Sequence, residues 1–229
     1  MSECEVNKMS EKQSSRLFLE RRLSLLYGAD SRAMQALDLV VKEMNAEKGY
    51  VRYDGSDYYM HCVDVANFLI SYGVKDQNAV AAALLHDMIE DVPGYTRESL
   101  ALLFGEKVGD YVDAVSQKPG LDYHNPQVLT AHLEHIASDV NTAAIKTADR
   151  MHNMYTLADA SIEKRYRKAL ETEEFFIPFF KTCRKRYPRY EDLFYAAKTQ
   201  ILPQIYEIKA HYRDWEELKK LRENREGRE

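Results

Sequence analysis

The chain has 229 residues, 45% hydrophobic and 30% charged, a balance that predicts a packed globular domain rather than disorder and leaves no room for several independent cores. Its 32 Lys and Arg against 37 Asp and Glu, a net of −5, exclude the broad basic field that holds a nucleic-acid duplex, so an anionic ligand must be held locally. No stretch approaches the ~18–20 apolar residues of a membrane span, the start Met1-Ser2-Glu3-Cys4-Glu5 is no signal peptide, and Cys4, Cys62 and Cys183 are odd in number and far apart, which predicts a cytoplasmic chain without disulfides or a thiolate metal site.

Nearly everything reads as helix. Only 9 Gly and 6 Pro punctuate the chain, and apolar residues recur at intervals of three and four with no long alternating β-branched run. A first helix over 11–26 stops at Gly28, and a second over 31–47 has Ser31 as N-cap. Residues 49–58, Gly49-Tyr50-Val51-Arg52-Tyr53-Asp54-Gly55-Ser56-Asp57-Tyr58, are polar, aromatic and turn-rich, and predict a surface loop suited to binding. Helices follow over 59–72, 77–90, 96–104, 106–116, 126–137, with Pro126 in the first turn, and 142–158. Two long helices, 161–187 and 189–221, complete the chain, and Pro178 and Pro203 inside them predict kinks or breaks. The mixed-sign run 212–229 reads as a solvated helix end, with a partner-binding helix anchored by Trp215, Leu218 and Leu221 as the alternative. The expected fold is all-α and a single domain, with a helical-bundle core at about 29–188, an N-terminal helical arm at 10–27, and a C-terminal helix with charged tail at 189–229.

The chemistry concentrates in His86-Asp87-Met88-Ile89-Glu90-Asp91, at the end of the apolar run 79–85. On a continuous helix His86 and Glu90 lie about 40° apart, as do Asp87 and Asp91, so four polar groups share an arc of about 140°. The preceding Val80-Ala81-Ala82-Ala83-Leu84-Leu85 is apolar nearly all round, which predicts burial, and a buried His with carboxylates must be paired or bind a metal. His61 opens an amphipathic helix, and Asp149 ends a second apolar lead-in, Ala143-Ala144-Ile145-Lys146-Thr147-Ala148-Asp149-Arg150. Alone, each has a plain structural reading, as a cap, a satisfied core His, or an Asp paired with Arg150. Together, two imidazoles and two carboxylates suit Mn²⁺, Fe²⁺, Zn²⁺ or another divalent ion with room for water and substrate oxygen. Asp149, Asn153 and Thr156 share a helix face within about 60°, while His152 on its flank reads as structural. Of the remaining His124, His132, His135 and His211, the pair His132-x-x-His135 has helical spacing, but no acidic group converges there in the sequence.

In this order, His61 … His86-Asp87 … Asp149, the chain resembles the HD-domain metal-dependent phosphohydrolases, an all-helical family. Within it the chain is similar to the hydrolase domain of RelA/SpoT proteins and to the stand-alone small alarmone hydrolases. The resemblance runs from about 31 to 188 and rests on Arg52-x-x-Gly55-x-x-Tyr58-x-x-His61, on His86-Asp87-x-x-Glu90-Asp91, on Phe104-Gly105-x-x-Val108, on Lys146-x-Ala148-Asp149-Arg150-x-His152-Asn153-Met154-x-Thr156, and on Arg167-x-Ala169-x-Glu171-Thr172. It implies that His61, His86, Asp87 and Asp149 bind a metal, usually Mn²⁺, that Glu90 and Asp91 orient and deprotonate the attacking water, that Arg52 stacks on guanine, and that Asn153 and Thr156 contact the nucleoside. The implied reaction removes pyrophosphate from the 3′ position of guanosine tetra- or pentaphosphate, giving GDP or GTP.

Residue chemistry agrees with that reaction. Phosphoester hydrolysis needs a divalent ion to acidify water and offset phosphoryl charge, together with a positioned base. Arg52 among Tyr50 and Tyr53 suits a purine, and Lys146 with Arg150, or Lys164, Arg165 and Arg167, suits phosphates, with helix-surface solvation as the alternative for all of them. The chain departs from the family at His61-Cys62, where His-Pro is common, at Thr147, at Tyr155, where an Arg is usual, and at Tyr53-Asp54, where many relatives carry Lys-Ser. These departures leave adenosine analogues and RNA 3′ ends open as substrates. No synthetase domain is expected to follow. Two other readings stand beside the leading one: a different nucleotide phosphohydrolase, such as a 2′- or 3′-phosphatase, or an antitoxin that binds a partner toxin or synthetase through the arm or the tail. Oligomeric state is open.

Overall fold

The computed structural model describes the backbone of residues 3–226 and the side chains of residues 14–224. Among the described residues the helices are α1 (Glu3–Tyr27), α2 (Arg32–Glu43), α3 (Tyr59–Ser71), α4 (Gln77–Leu85), α5 (Met88–Asp91), α6 (Arg97–Phe104), α7 (Glu106–Val115), α8 (Pro126–Ile136), α9 (Val140–Tyr155), α10 (Ile162–Glu171), α11 (Ile177–Arg186) and α12 (Glu191–Glu226). One isolated antiparallel bridge, Val51 to Asp57, is the β-structure of the described chain, so the all-α expectation holds. No described helix is long and apolar enough to cross a membrane.

Side-chain caps set the helix starts. Ser31 accepts from the Met34 N–H as expected, Asp76 from those of Asn78 and Ala79, and Asp139 from those of Asn141 and Thr142. Each satisfies backbone donors that the first turn leaves without a helical partner. Pro126 occupies the first turn of α8 behind its cap Asn125.

α4 is the centre of the bundle. Ala79 through Leu85 are all buried, because the helix packs against α2, α3, α7 and α9 at once. Complete burial of Leu84 and Leu85 contributes roughly 1.5–3 kcal/mol each. α9 packs in turn on α3 and α12, and α1 lies along α3 with Leu19 and Leu23 buried. The C-terminus of α4, the N-terminus of α3 and the middle of α9 therefore meet in one interior region.

Several expected boundaries move. The helix expected over 31–47 ends at Glu43, because the Asn45 amide donates to the Val41 and Lys42 carbonyls at 3.1 Å and its oxygen caps the turn Ala46–Lys48. The helix expected over 77–90 breaks: α4 ends at Leu85, Asp87 adopts φ −95° and ψ −1°, and α5 is a short new helix. The helix expected over 161–187 is interrupted by a π-turn at Thr172–Phe176, where the Ile177 N–H reaches the Thr172 carbonyl. Pro178, which has no N–H to give, then sits in the first turn of α11. Pro203 does not end α12, which runs through it to Glu226. Tyr212 stacks on Tyr166 at 3.9 Å and ties α12 to α10, while Leu218 and Leu221 of the charged tail are exposed. Cys62 and Cys183 are buried and unpaired, and Cys4 lies outside the described side chains.

Candidate active site

His61 stands in the first turn of α3, His86 just past α4, Asp87 in the break before α5, and Asp149 on α9. Their ligand atoms converge. His61 Nε2 lies 3.1 Å from His86 Nε2, 3.4 Å from Asp149 Oδ1 and 3.6 Å from Asp87 Oδ2. His86 Nε2 lies 3.2 Å from Asp87 Oδ2 and 3.7 Å from Asp149 Oδ1. His61, His86 and Asp149 are all buried.

Each of these four side chains is held from behind. His86 Nδ1 sits 2.8 Å from the Ala83 carbonyl, which can only accept, so that nitrogen carries the proton and Nε2 turns to the cluster. Tyr58, at the end of the 49–58 loop, donates its hydroxyl to Asp87 Oδ2 at 2.9 Å. Lys146 pairs with Asp149 Oδ2 at 3.0 Å, and the Asn153 amide donates to Asp149 Oδ1. Burial opposes the Asp149 charge, but Lys146 and the two imidazoles outweigh it and hold the carboxyl well below its usual range. Burial pushes His61 down to about 4, so it is neutral, as a metal ligand must be. His86 is held above the ordinary imidazole range, because Asp87 and Asp149 overcome its burial.

The donor set fits a divalent cation. Two imidazole nitrogens facing each other at 3.1 Å, with two carboxylate oxygens within 3.7 Å, form a mixed N/O cluster whose outer atoms are already fixed by hydrogen bonds. His61, His86 and Asp87 bring ligand atoms within 4.8 Å of one another.

Glu90 and Asp91 lie on the exposed rim of this cluster. Glu90 Oε1 accepts the Gln117 N–H at 2.8 Å, and partial desolvation raises its pKa against the pull of Lys146. Desolvation and the nearby Asp87 raise Asp91 as well. The break at Asp87 means that the single helical arc expected for His86, Asp87, Glu90 and Asp91 does not exist. His86 and Asp87 turn inward together, whereas Glu90 faces the segment after α7.

Beside the cluster lies a cleft of about 510 Å³ lined by Arg52, Tyr53, Tyr58, Asn153, Thr156 and Lys164 among others. The Arg52 guanidinium donates to Thr156 Oγ1 at 2.7 Å and to Asn153 Oδ1 at 3.5 Å, so the three residues expected to meet a nucleoside converge. Across the cleft mouth Lys164 donates to the Tyr53 hydroxyl and covers its ring. Lys146 faces a second cleft of about 400 Å³ shared with Arg150, Lys168, His124 and His132. Its ammonium is engaged with Asp149, so it acts on the cluster first. Arg150 is not the partner of Asp149; it pairs with Glu171 at 2.9 Å and packs over Phe176. His135 is exposed away from His132, so that pair does not converge on one site.

His152 is buried, as its structural reading expects, yet it touches the cluster: its Nδ1 is 2.7 Å from His61 Nδ1 and its Nε2 is 3.3 Å from Asp64 Oδ2. Sequence reasoning missed Asp64 and the partnership of Tyr58 with Asp87. The available signal was spacing, since Tyr58 and Asp64 each lie one helical turn from His61.

A family profile described as "HD domain" matches residues 36–182. The chain is 40% identical over 141 residues to a guanosine-3′,5′-bis(diphosphate) 3′-pyrophosphohydrolase of Haemophilus influenzae, covering 58% of this chain and 20% of that one. It is 36% identical over 139 residues to the bifunctional (p)ppGpp synthase/hydrolase SpoT of Escherichia coli, with the same two coverages. The match thus spans about a fifth of the length of these relatives. A solved structure of a metazoan SpoT ortholog, reported to hydrolyse ppGpp and to act in starvation responses, superposes with a TM-score of 0.55 at 20% identity, over 80% of this chain and 96% of that one, and shares its fold. With an HD-domain match across most of its length, and with His61, His86, Asp87 and Asp149 gathered at one interior point, this chain belongs to the HD-domain family.

Proposed function

We propose that this chain hydrolyses the 3′-pyrophosphate of guanosine tetra- and pentaphosphate, releasing GDP or GTP and pyrophosphate, with Mn²⁺ as its metal. The observation that carries the reading is the buried cluster of His61, His86, Asp87 and Asp149 opening beside a cleft that holds Arg52, Asn153 and Thr156 together. Relatives 36–40% identical that are named as ppGpp 3′-pyrophosphohydrolases support it. A divalent ion in the cluster would acidify a water and offset charge on the phosphoryl oxygens. The chain's own residues do the rest. Lys146 keeps Asp149 anionic and so available to a cation. Glu90, with Asp91 beside it, accepts the proton of the attacking water, and desolvation lifts both toward the pH at which a base works best. Arg52 stacks its planar guanidinium on the base, with Asn153 and Thr156 aligning it, and Lys164 and Lys168 line the same cleft for the phosphates. We read the chain as one domain, with the arm and the C-terminal helix as packed extensions of the core, and a nucleotide substrate of this kind implies the cytoplasm.

The test is a chromatographic panel with manganese-loaded protein and guanosine tetraphosphate, its adenosine analogue, and nucleoside 2′- and 3′-monophosphates. GDP plus pyrophosphate is the expected product pair. Release of orthophosphate, or turnover of the monophosphates alone, would overturn the reading.

A further inference from the structure

We propose that Asp64 and His152 are positioning residues that orient His61 toward the metal, and that Ser15 of α1 belongs to the same chain of hydrogen bonds. The proposal rests on the reading of His61 as a metal ligand. His61 Nε2 faces the cluster, so as a ligand it is unprotonated and the neutral ring carries its proton on Nδ1. That Nδ1 lies 2.7 Å from His152 Nδ1. Two N–H groups cannot face each other at this distance, so His152 accepts on Nδ1 and carries its own proton on Nε2. Nε2 in turn lies 3.3 Å from Asp64 Oδ2. One tautomer pattern therefore satisfies the run, with His61 donating to His152 and His152 donating to Asp64. The other oxygen of Asp64 accepts the Ser15 hydroxyl.

The run joins three elements. α3 supplies His61 and Asp64 one turn apart, α9 supplies His152 between them, and α1 supplies Ser15. Ser15 is fixed in turn, because the Asn67 amide donates to its carbonyl and hydroxyl at 3.2 Å and Arg22 donates to Asn67 and Ser71. Ser15, Asp64, His152 and His61 all line a third cleft of about 700 Å³, which Arg52 also borders. The arm thus reaches the metal cluster through side chains, not through backbone packing alone.

Asp64→Asn is nearly isosteric but presents an amide that can donate to His152 Nε2. That favours the tautomer with a proton on Nδ1, which clashes with His61 Nδ1–H. Groups that orient a metal-binding His in this way change metal affinity by about 10- to 100-fold.

Titration calorimetry of the whole chain with manganese chloride tests this. Asp64→Asn is expected to weaken binding about 10- to 100-fold, and Ser15→Ala roughly twofold to fivefold, because Ser15 acts on His61 only through Asp64 and His152. The melting temperature of the metal-free protein should stay unchanged. Histidine-ring ¹H–¹⁵N spectra with zinc as a diamagnetic substitute should show His152 protonated on Nε2 in the parent and not in Asp64→Asn. Asp87→Ala serves as the control for the metal reading itself. If the parent binds no manganese, or Asp87→Ala binds as the parent does, the metal reading fails and takes the proposal with it. If Asp87→Ala loses binding while Asp64→Asn binds as tightly as the parent, the orienting role alone is overturned. A weaker Asp64→Asn whose metal-free melting temperature has fallen to match makes Asp64 a packing residue and also overturns it.

Discussion

Replacing Glu90 by glutamine is expected to separate the proposed proton transfer from metal binding. The amide keeps the size of the side chain, and its oxygen can still accept the Gln117 N–H that Glu90 receives at 2.8 Å, so the segment after α7 has no cause to move. What is lost is the negative charge and the ability to take a proton. A positioned general base contributes about 10²- to 10⁴-fold, which at 1.36 kcal/mol per decade is roughly 3–5 kcal/mol of barrier. The four converging ligand atoms belong to His61, His86, Asp87 and Asp149, so manganese affinity in Glu90→Gln should change by less than about threefold, well short of the losses seen when a ligand's support is removed. The pH profile supplies a second reading. Desolvation raises the Glu90 pKa, and the base works only when deprotonated, so parent kcat should fall as pH drops through a pKa above the ordinary glutamate value of about 4.3. Steady-state kinetics on guanosine tetraphosphate from acid to neutral pH, alongside calorimetry with manganese, measure both. A variant that retains kcat within about tenfold of the parent, with the same acid limb, refutes Glu90 as the base.

Tyr58→Phe removes the hydroxyl that donates to Asp87 at 2.9 Å and keeps the ring; manganese affinity should fall about 10- to 100-fold by calorimetry, with no change in fold by circular dichroism. Glu171→Gln leaves the buried Arg150 without its carboxylate and should cost about 3 kcal/mol in urea unfolding at neutral pH. Because Arg150 and Lys168 overcome burial and hold the Glu171 pKa down in the folded state, the parent's advantage is present above the unfolded glutamate pKa of about 4.3 and disappears as pH falls through the lower folded value. Gly109→Ala would set a Cβ 2.7 Å from the Arg97 carbonyl and 2.8 Å from Ala101 Cβ, where α7 crosses α6. The overpacking should cost about 1–3 kcal/mol and lower the melting temperature by several degrees in calorimetric scans.

The helices were legible because their periodicity, caps and breakers act locally. Ser31 and Pro126 start helices where their chemistry says they should. The failures lie where a tertiary partner competes with a local signal. The run from 77 to 90 looks like one helix, yet Asp87 departs from helical geometry with its carboxylate held by Tyr58 of a distant loop. Pro178 does mark an interruption, the π-turn just before it, whereas Pro203 leaves α12 unbroken. Likewise Asp149 has an Arg next to it in sequence, but on a helix the neighbouring residue points elsewhere, and Lys146, one turn away, is the partner.

Residue type and spacing alone carry the all-α class, the family resemblance and ten candidate site residues, because HD pairs, apolar lead-ins and helix faces are local patterns. They could not say which atoms those residues present to one another. Folding is what brings Arg52 to Thr156 across 104 positions, sets Tyr58 behind Asp87, and makes His152, which reads as merely structural in the sequence, a link from His61 to Asp64 and the N-terminal arm. A hydrogen bond or ligand contact depends on distances of about 3 Å between groups far apart in the chain. Helix packing sets those distances, and no local pattern encodes them.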